Sequence, residues 1–392
     1  VIISETTTVG YQQEFGRIGM QINDSLTTDD WMEVYKKLVY WEIELENSQV
    51  PMTDMLRMQK QEANNAFGKF VKKNYVDWIQ HPEIRPLMSP DLFKKKVFPM
   101  LDNGDKVFFI LIDNFRLDQW REVKDLLAEY YTFDESLYDS ILPTAAQYAR
   151  NSIFSGLMPL QIEKMFPELW VDEDSEEGKN LNEAPLIQTQ IERFRKKYTF
   201  SYHKVHDSQY NDKLLNIVPS LLHNQLNVVV LNFVDMLSHA RTENKMIREL
   251  AQSEAAYRSL TRSWFQHSGT LELFKRIAGK GYKVIVTTDH GTIRVDNPEK
   301  VIGDKNTNTN LRYKVGKNLN YNPKDVFDIR FPDKAGLPSP NLSSKYIFAM
   351  NNDFFAYPNN YNYYVSYYKN TFQHGGISME EMLIPFITMT VK

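Results

Sequence analysis

The clearest indication of the fold is one stretch of sequence, Gly281-Tyr282-Lys283-Val284-Ile285-Val286-Thr287-Thr288-Asp289-His290-Gly291. Its apolar, β-branched run between two glycines predicts a buried strand. An acid and an imidazole follow at the carboxyl end of that strand, and in an open parallel sheet ligands bind at this edge. Carboxylate oxygen and imidazole nitrogen are common metal ligands, so Asp289 and His290 form a candidate metal-binding pair.

Two other apolar runs end in an acid in the same way. Residues 107–112 are followed by Asp113, and residues 228–234 are followed by Asp235. Because segments with helical spacing lie between the runs, the pattern predicts an α/β domain with a mainly parallel sheet covered on both faces. Three carboxylates at one edge of that sheet are costly to bury without a cation, which favours a metal site there.

Residues 1–97 have a different character and are predicted to be all-helical. Apolar residues such as Trp31 and Leu38 recur at helical spacing after the capping cluster 27–30, and a further helix is predicted to restart at Thr53. The segment has neither a strand signal nor a cluster of chemically active residues. We therefore predict two domains, a helical linker or dimerisation domain over 1–97 and the α/β domain over 98–392.

Composition limits the class of protein. The length of 392 residues favours two domains, and the net charge of −4 argues against a general nucleic-acid-coating protein. The absence of cysteine excludes disulfides and cysteine nucleophiles and fits a cytoplasmic location. No apolar run approaches the roughly 20 residues that span a bilayer. The first residue is Val1 rather than Met, so we expect a segment upstream.

A threonine follows a chain-breaking proline in Leu142-Pro143-Thr144-Ala145-Ala146. A helix is predicted to begin at Thr144, which would place its hydroxyl among unpaired helix amides in a position that favours anions. From this motif alone a plain helix cap is the favoured interpretation, because threonine is common at that position.

Two more histidines have neighbours typical of a site. Asp235 and His239 are four residues apart after a predicted strand, so both can face one point. His374 precedes a glycine pair, which permits close approach of the backbone. Asn114 follows Asp113 directly and is a candidate substrate contact for that reason alone.

Three polar or aromatic stretches interrupt the pattern. The acidic run 172–178 is interpreted as a solvated surface loop, and residues 291–345 as a long irregular segment that is functional or disordered. The second stretch carries the basic residues Arg312 and Lys314. The Tyr-rich run 356–368 is predicted to be a β-rich, half-buried surface, with stacking of bases as the alternative.

Taken in order, these residues resemble the alkaline phosphatase superfamily and, within it, the PglZ domain. The resemblance covers roughly residues 98–392. Residues 1–97 resemble the linker that follows the receiver in PglZ-containing response regulators linked to type IX secretion. The motifs that carry the resemblance are Asp113, Thr144, Asp235-x-x-x-His239, Asp289-His290-Gly291 and His374-Gly375-Gly376.

The resemblance implies two metal ions per chain, zinc or alternatively manganese. It assigns Asp235, His239 and His374 to the first ion. It assigns the second ion to the remaining ligands, which are Asp113, Asp289, His290 and the oxygen of Thr144. Thr144 would also be the catalytic nucleophile. Coordination of a hydroxyl to a dication favours the reactive alkoxide.

The function expected from this pattern is hydrolysis of a phosphodiester in a nucleotide or short oligonucleotide. Asn114, Arg312 and Lys314 are the candidate substrate contacts. The alternatives are a phosphomonoesterase and a signalling scaffold with a structural zinc site. The resemblance implies a regulatory homodimer whose partners are a sensor kinase, a sigma factor and components of type IX secretion.

Overall fold

The computed structural model describes residues 2–25, 27–47, 50–173, 175, 178–206, 208–233 and 252–392. Two of the predicted metal ligands, Asp235 and His239, lie outside these ranges. The α-helices of the described part are, in chain order, α1 (Ile2–Asp24), α2 (Thr28–Glu44), α3 (Val50–Gln80), α4 (Phe98–Asp102), α5 (Leu117–Leu127), α6 (Ala146–Ser155), α7 (Pro159–Met165), α8 (Glu183–Arg193), α9 (Ser208–Leu221), α10 (Glu254–His267), α11 (Thr270–Ile277), α12 (Tyr361–Tyr368) and α13 (Met379–Met382).

The amino-terminal part is helical, as the sequence predicts, and contains α1, α2 and α3. The cap of α2 forms as expected: the Thr27 hydroxyl accepts from the Asp30 N–H at 3.2 Å, and the Thr27 N–H donates to the Asp30 carboxylate at 3.1 Å. Helix α3 begins at Val50, three residues before the predicted restart. Its Pro51 falls in the first turn, where a missing N–H costs nothing.

A six-stranded sheet forms the centre of the second part, in the order β2-β13-β5-β1-β4-β3. Its pairings make β13 antiparallel to both neighbours, whereas the pairs β1–β4, β1–β5 and β3–β4 are parallel. The prediction of an α/β fold with a mainly parallel sheet is therefore confirmed. The six strands are β1 (Lys106–Ile112), β2 (Tyr131–Asp139), β3 (Phe200–Val205), β4 (Leu226–Leu231), β5 (Tyr282–Thr287) and β13 (Leu383–Val391).

The register of the central strands aligns their carboxyl ends. Ile112 of β1 lies opposite Leu231 of β4, and Leu111 lies opposite Thr287 of β5. Residues 107–112 are all buried although their side chains alternate between the two faces, so both faces of the sheet are covered. Asp113 and Asp289 consequently leave the sheet at one edge.

The stretch 291–345, expected to be irregular, is instead folded into short strands with buried apolar residues. Strands β8, β10 and β9 form a separate three-stranded sheet, whose members include the buried Tyr313, Val315 and Ile347. These strands are too short for an alternation of apolar and polar residues to reveal them in the sequence. The short strands are β6 (Ile293–Arg294), β7 (Asn297–Lys300), β8 (Tyr313–Gly316), β9 (Val326–Ile329), β10 (Lys345–Ala349), β11 (Asp353–Ala356) and β12 (Phe372–Gln373).

One other expectation about local structure was wrong. The Tyr-rich run contains the helix α12, and Tyr363 on it is 64% exposed, so this surface is neither β-rich nor half-buried. The acidic run, whose residues 174, 176 and 177 lie outside the described ranges, forms a loop at its described positions, as predicted. Within it, the Glu173 carboxylate accepts from the hydroxyls of Tyr148 at 2.5 Å and Tyr313 at 3.0 Å.

The helical part packs directly against the α/β part. Asn64 of α3 donates to both carboxylate oxygens of Glu380, and the Tyr75 hydroxyl of α3 accepts from the Leu142 N–H at 2.7 Å. Phe93, on the amino-terminal side of the predicted boundary at 97, already stacks edge-on against Phe109 of β1 at 4.9 Å between ring centroids. That boundary stays a prediction. No helix among the described residues is long and apolar enough to cross a bilayer.

Candidate active site

A cleft of about 430 Å³ opens at the carboxyl edge of the central sheet. Four predicted site residues line it, namely Asp113, Asn114, His290 and His374. They come from the ends of β1 and β5 and from the loop after β12. The described residues that complete the lining are Ala146, Arg150, Gly178, Lys179, Asn180, Leu181, Lys204, His206 and Asn232.

The two imidazoles lie against each other, with ring centroids 4.2 Å apart and planes inclined by 23°. Each Nδ1 lies within hydrogen-bond distance of a backbone carbonyl: Gly291 O at 2.9 Å for His290, and Thr144 O at 2.8 Å for His374. Because a carbonyl only accepts, Nδ1 carries a proton in each ring, so Nε2 is the nitrogen that could bind a metal. Metal-binding histidines are typically held by such a bond from the other ring nitrogen.

The glycines beside these histidines allow the backbone to approach so closely. A Cβ on Gly291 would lie 1.9 Å from the carbonyl oxygen of Glu380. Gly375 has φ +128, a conformation that other residues rarely adopt, and its Cβ would lie 2.6 Å from the Tyr313 ring. The turn after His290 and the loop after His374 therefore both require glycine.

Protonation states in the cleft suit a cation. Burial, and after it the neighbouring His290, lowers the pKa of His374 to about 3, so its ring is neutral near pH 7. Burial alone would raise the pKa of Asp289, but His290 and Arg150 hold it below its ordinary value. Asp289 is fully buried and 3.8 Å from the Nε2 of His290. An ionised carboxylate beside the neutral His374 ring and the His290 imidazole is a donor set that zinc or manganese accepts.

Arg150 is a site residue that the sequence analysis missed. Its Nε donates to Asp289 at 3.0 Å, and its Nη1 lies 3.3 Å from Glu183. Those two carboxylates more than offset burial and raise the pKa of Arg150, so the group stays charged. Arg150 is the single charged residue of α6, and this was the available signal.

Other cleft groups suit an anionic ligand. Lys179 and Lys204 add positive charge to the lining, and both ammonium groups are fixed by backbone carbonyls at 2.6 to 2.9 Å. Asn114 reaches the cleft as predicted, with Nδ2 3.2 Å from the Asp113 carboxylate. Its buried Oδ1 has no hydrogen-bond partner among the described residues.

The predicted nucleophile Thr144 lies beside the cleft but not in its lining. Helix α6 begins at Ala146 with Ala145 as its N-cap, so the predicted start at Thr144 was two residues early. The Thr144 side chain is fully buried, and its hydroxyl donates to Gly376 O at 2.8 Å. Neither a cap nor an anion site forms at that hydroxyl.

Arg312 and Lys314, predicted as substrate contacts, are buried away from the cleft lining. The Arg312 guanidinium pairs with Glu381 at 2.5 Å and donates to the carbonyls of Asp353 and Ile377. The Lys314 ammonium donates to Asn308 O at 2.9 Å, and burial lowers its pKa to about 8. Both side chains are buried and bonded within the protein and neither lines the cleft, so they are not substrate contacts in this structure.

Away from the cleft, the acids Glu42, Asp118 and Glu254 form the one group among the described residues whose ligand atoms are all close enough to one another to hold a cation. Positive side chains already neutralise it. Arg116 lies 2.7 Å from both Asp118 and Glu254, and Arg258 lies 2.9 Å from Glu42. We interpret this group as a buried ion-pair network between the two parts of the chain.

Comparison with known families confirms the resemblance. Residues 92–389 match the BREX system PglZ alkaline phosphatase-like domain, which is more than half of the chain. Residues 1–79 match the PorX response regulator linker domain. No curated protein matches the chain.

Solved structures with similar folds include murine ectonucleotide pyrophosphatase/phosphodiesterase 5, with a TM-score of 0.48 and 12% identity over 73% of this chain and 88% of that one. Phosphonoacetate hydrolase from Sinorhizobium meliloti 1021, in complex with phosphonoformate, has a TM-score of 0.46 and 11% identity over 72% of this chain and 90% of that one. Similarity at this level is too low to support a statement about function.

Proposed function

Because this chain belongs to the PglZ family of alkaline phosphatase-like domains, we propose that it is a metal-dependent phosphoester hydrolase, acting on phosphodiesters of nucleotides or short oligonucleotides. One observation carries the proposal. Asp113, His290 and His374 line the same cleft, and both imidazoles use Nδ1 for a backbone hydrogen bond, which leaves Nε2 as the nitrogen that could bind a metal. Such donors at the carboxyl edge of a parallel sheet suit a metal site.

Asp113, Asp289, His290 and His374 would hold metal within the described part of the chain. Asp235 and His239, which lie outside it, are proposed as further ligands by resemblance, completing a two-zinc or two-manganese set. When bound, such ions neutralise charge that builds on a phosphoryl group. The Thr144 oxygen is not carried into this ligand set, because its hydroxyl is bonded to the protein.

The residues of the chain itself bind and orient the phosphate. Arg150, Lys179 and Lys204 supply positive charge within the cleft, and Asn114 supplies an amide beside Asp113. Arginine and lysine side chains are the usual partners of phosphate oxygens. A phosphodiester would thus be held by charge from several elements rather than by one helix terminus.

The biological setting is part of the proposal. The match of residues 1–79 to a response-regulator linker supports an output domain of a response regulator. By resemblance, we propose that it controls type IX secretion as a cytoplasmic homodimer, with a sensor kinase and a sigma factor as partners. The same match favours a second candidate function, a signalling scaffold whose metal is structural. A scaffold would bind metal without cleaving any phosphoester.

The test combines metal analysis with hydrolysis of a dinucleotide and of bis-p-nitrophenyl phosphate, with zinc present. We expect two zinc equivalents per chain and cleavage of both diesters. His374→Ala should lower both metal content and cleavage, whereas His223→Ala, at an exposed position outside the cleft, should change neither. Cleavage of a monoester alone would overturn the diester preference, and absence of bound metal would overturn the proposed site.

A further inference from the structure

Helix α6 presents one particular face to the cleft. Within residues 141–155, Ala146 is the single residue that is not buried, and it lines the cleft. Arg150 lies four residues later and lines the cleft as well. Positions four apart lie above one another on a helix, so the face that carries Ala146 and Arg150 is the one a bound phosphate would meet.

The Thr144 hydroxyl instead forms hydrogen bonds within the protein interior. It donates to the carbonyl of Gly376 at 2.8 Å and accepts from the N–H of Gly375 at 2.9 Å. The carboxylate of Glu381 lies 3.3 Å away on the same side. Both hydrogen-bonding functions of the hydroxyl are therefore used to hold the loop that follows His374, and the side chain is fully buried.

Resting on the proposed function, we infer that no hydroxyl among the described residues acts as a nucleophile in this cleft and that Ala146 occupies the place where one would act. None of the described residues lining the cleft has a hydroxyl side chain. Hydrolysis is then a single displacement by water. The water oxygen forms the new bond to phosphorus as the bond to the leaving oxygen breaks, and one water proton ends on that leaving oxygen.

A single and a double displacement differ in stereochemistry, which gives a direct test. A chiral aryl phosphorothioate diester of a nucleoside is hydrolysed by the zinc-loaded chain in ¹⁸O-labelled water. The natural chain is expected to invert configuration at phosphorus. Ala146→Thr is expected to retain configuration and to turn over about tenfold faster or more, because a held nucleophile replaces a free one.

A matched control places the same hydroxyl one residue away. Ala145 is the N-cap of α6 and is 7% exposed, so Ala145→Thr should cap the helix and leave the stereochemistry inverted. A second measurement is the intact mass after acid quench. It should show a covalent substrate-derived adduct only in Ala146→Thr, with fragment ions assigning it to position 146.

Each outcome decides between distinct claims. Retention by the natural chain, or an adduct on Thr144, would overturn the inference and leave the proposed function standing. Cleavage by Ala146→Thr alone, with equal dinucleotide binding by both proteins, would support the missing nucleophile but overturn both the single displacement and the proposed hydrolysis by the natural chain. Failure of both proteins to bind metal or dinucleotide would overturn the proposed function, and the inference with it.

Discussion

Arg150 brings a positive charge into the cleft from the second turn of α6. It contacts Asp289 and Glu183, so the same guanidinium stabilises the fold and faces the space where phosphate would bind. Charge-assisted hydrogen bonds of this kind contribute about 1.5 to 3 kcal/mol each. The residue therefore offers a measurable contribution to binding, separate from that of the metal ligands.

Arg150→Gln should weaken dinucleotide binding to the zinc-loaded chain by about tenfold, the equivalent of one lost charge-assisted hydrogen bond. Calorimetric titration at fixed low salt measures the change in Kd. Arg195→Gln serves as a control, because Arg195 is exposed and outside the cleft lining. An unchanged Kd in Arg150→Gln would show that its guanidinium serves only the fold.

The sequence identifies site residues that are marked by their direct neighbours in the chain, and it does not identify those whose partners are distant in the chain. His290 and His374 have acids or glycines as direct neighbours, and these follow from chain order alone. The role of Arg312 could not be predicted, because its partner Glu381 is distant in the chain and meets it only in the folded protein. Arg150 and Lys204 reach the cleft because of the helix face and the strand edge on which they lie. A single sequence does not specify either of these.

The turn between β5 and β6 and the short helix α13 pack backbone against backbone. Gly291 donates its N–H to Glu381 O at 3.0 Å, and a Cβ at this position would lie 1.9 Å from Glu380 O. Neither partner is a flexible side chain, so the contact cannot relax without moving an element. The approach fixes the position of His290, which precedes the glycine.

Gly291→Ala should lower the free energy of unfolding by about 3 kcal/mol, because the clash must displace either the β5–β6 turn or α13. Urea denaturation followed by circular dichroism measures it. Gly16→Ala is the matched substitution in α1, where a Cβ meets nothing within 4 Å. That change should raise stability by roughly 0.5–1 kcal/mol, since alanine is the better helix former. Equal effects of both changes would contradict the backbone contact.

Among the secondary-structure elements, the long ones could be predicted from the sequence and the short ones could not. The strands β1 and β5 are apolar runs with clear ends, and the mainly parallel sheet followed from them. Strands of four or five residues between 297 and 356 carry too few alternations to be recognised. The helix α12 was predicted to be β-rich because tyrosine favours strands. Tyr363 is exposed, so no packing against a core supports its strand propensity there.

Across the whole molecule, a network of buried charges joins the helical part to the α/β part. Arg258 of α10 lies 2.9 Å from Glu42 of α2 and 3.2 Å from Asp118 of α5. Its side chain is 2% exposed, so water screens these pairs little. Removal of one member would leave buried charges without a partner.

Arg258→Met should destabilise the protein by about 3 kcal/mol, because Glu42 and Asp118 then lose a buried partner. Arg262→Met, one turn further along α10, should cost less than about 1 kcal/mol, since the Arg262–Asp125 pair has side chains 32% and 64% exposed. Thermal and urea unfolding of both variants give the comparison. Similar losses in the two variants would refute a special role for the buried network.

Two consecutive acids link helix α3 to the loop that follows His374. Glu380 accepts both hydrogen bonds from Asn64 of α3, while Glu381 accepts from the N–H of Gly376, two residues after His374. Linkage thermodynamics then imposes reciprocity on any coupling through this pair. The factor by which a partner on α3 changes affinity for a cleft ligand equals the factor by which that ligand changes affinity for the partner.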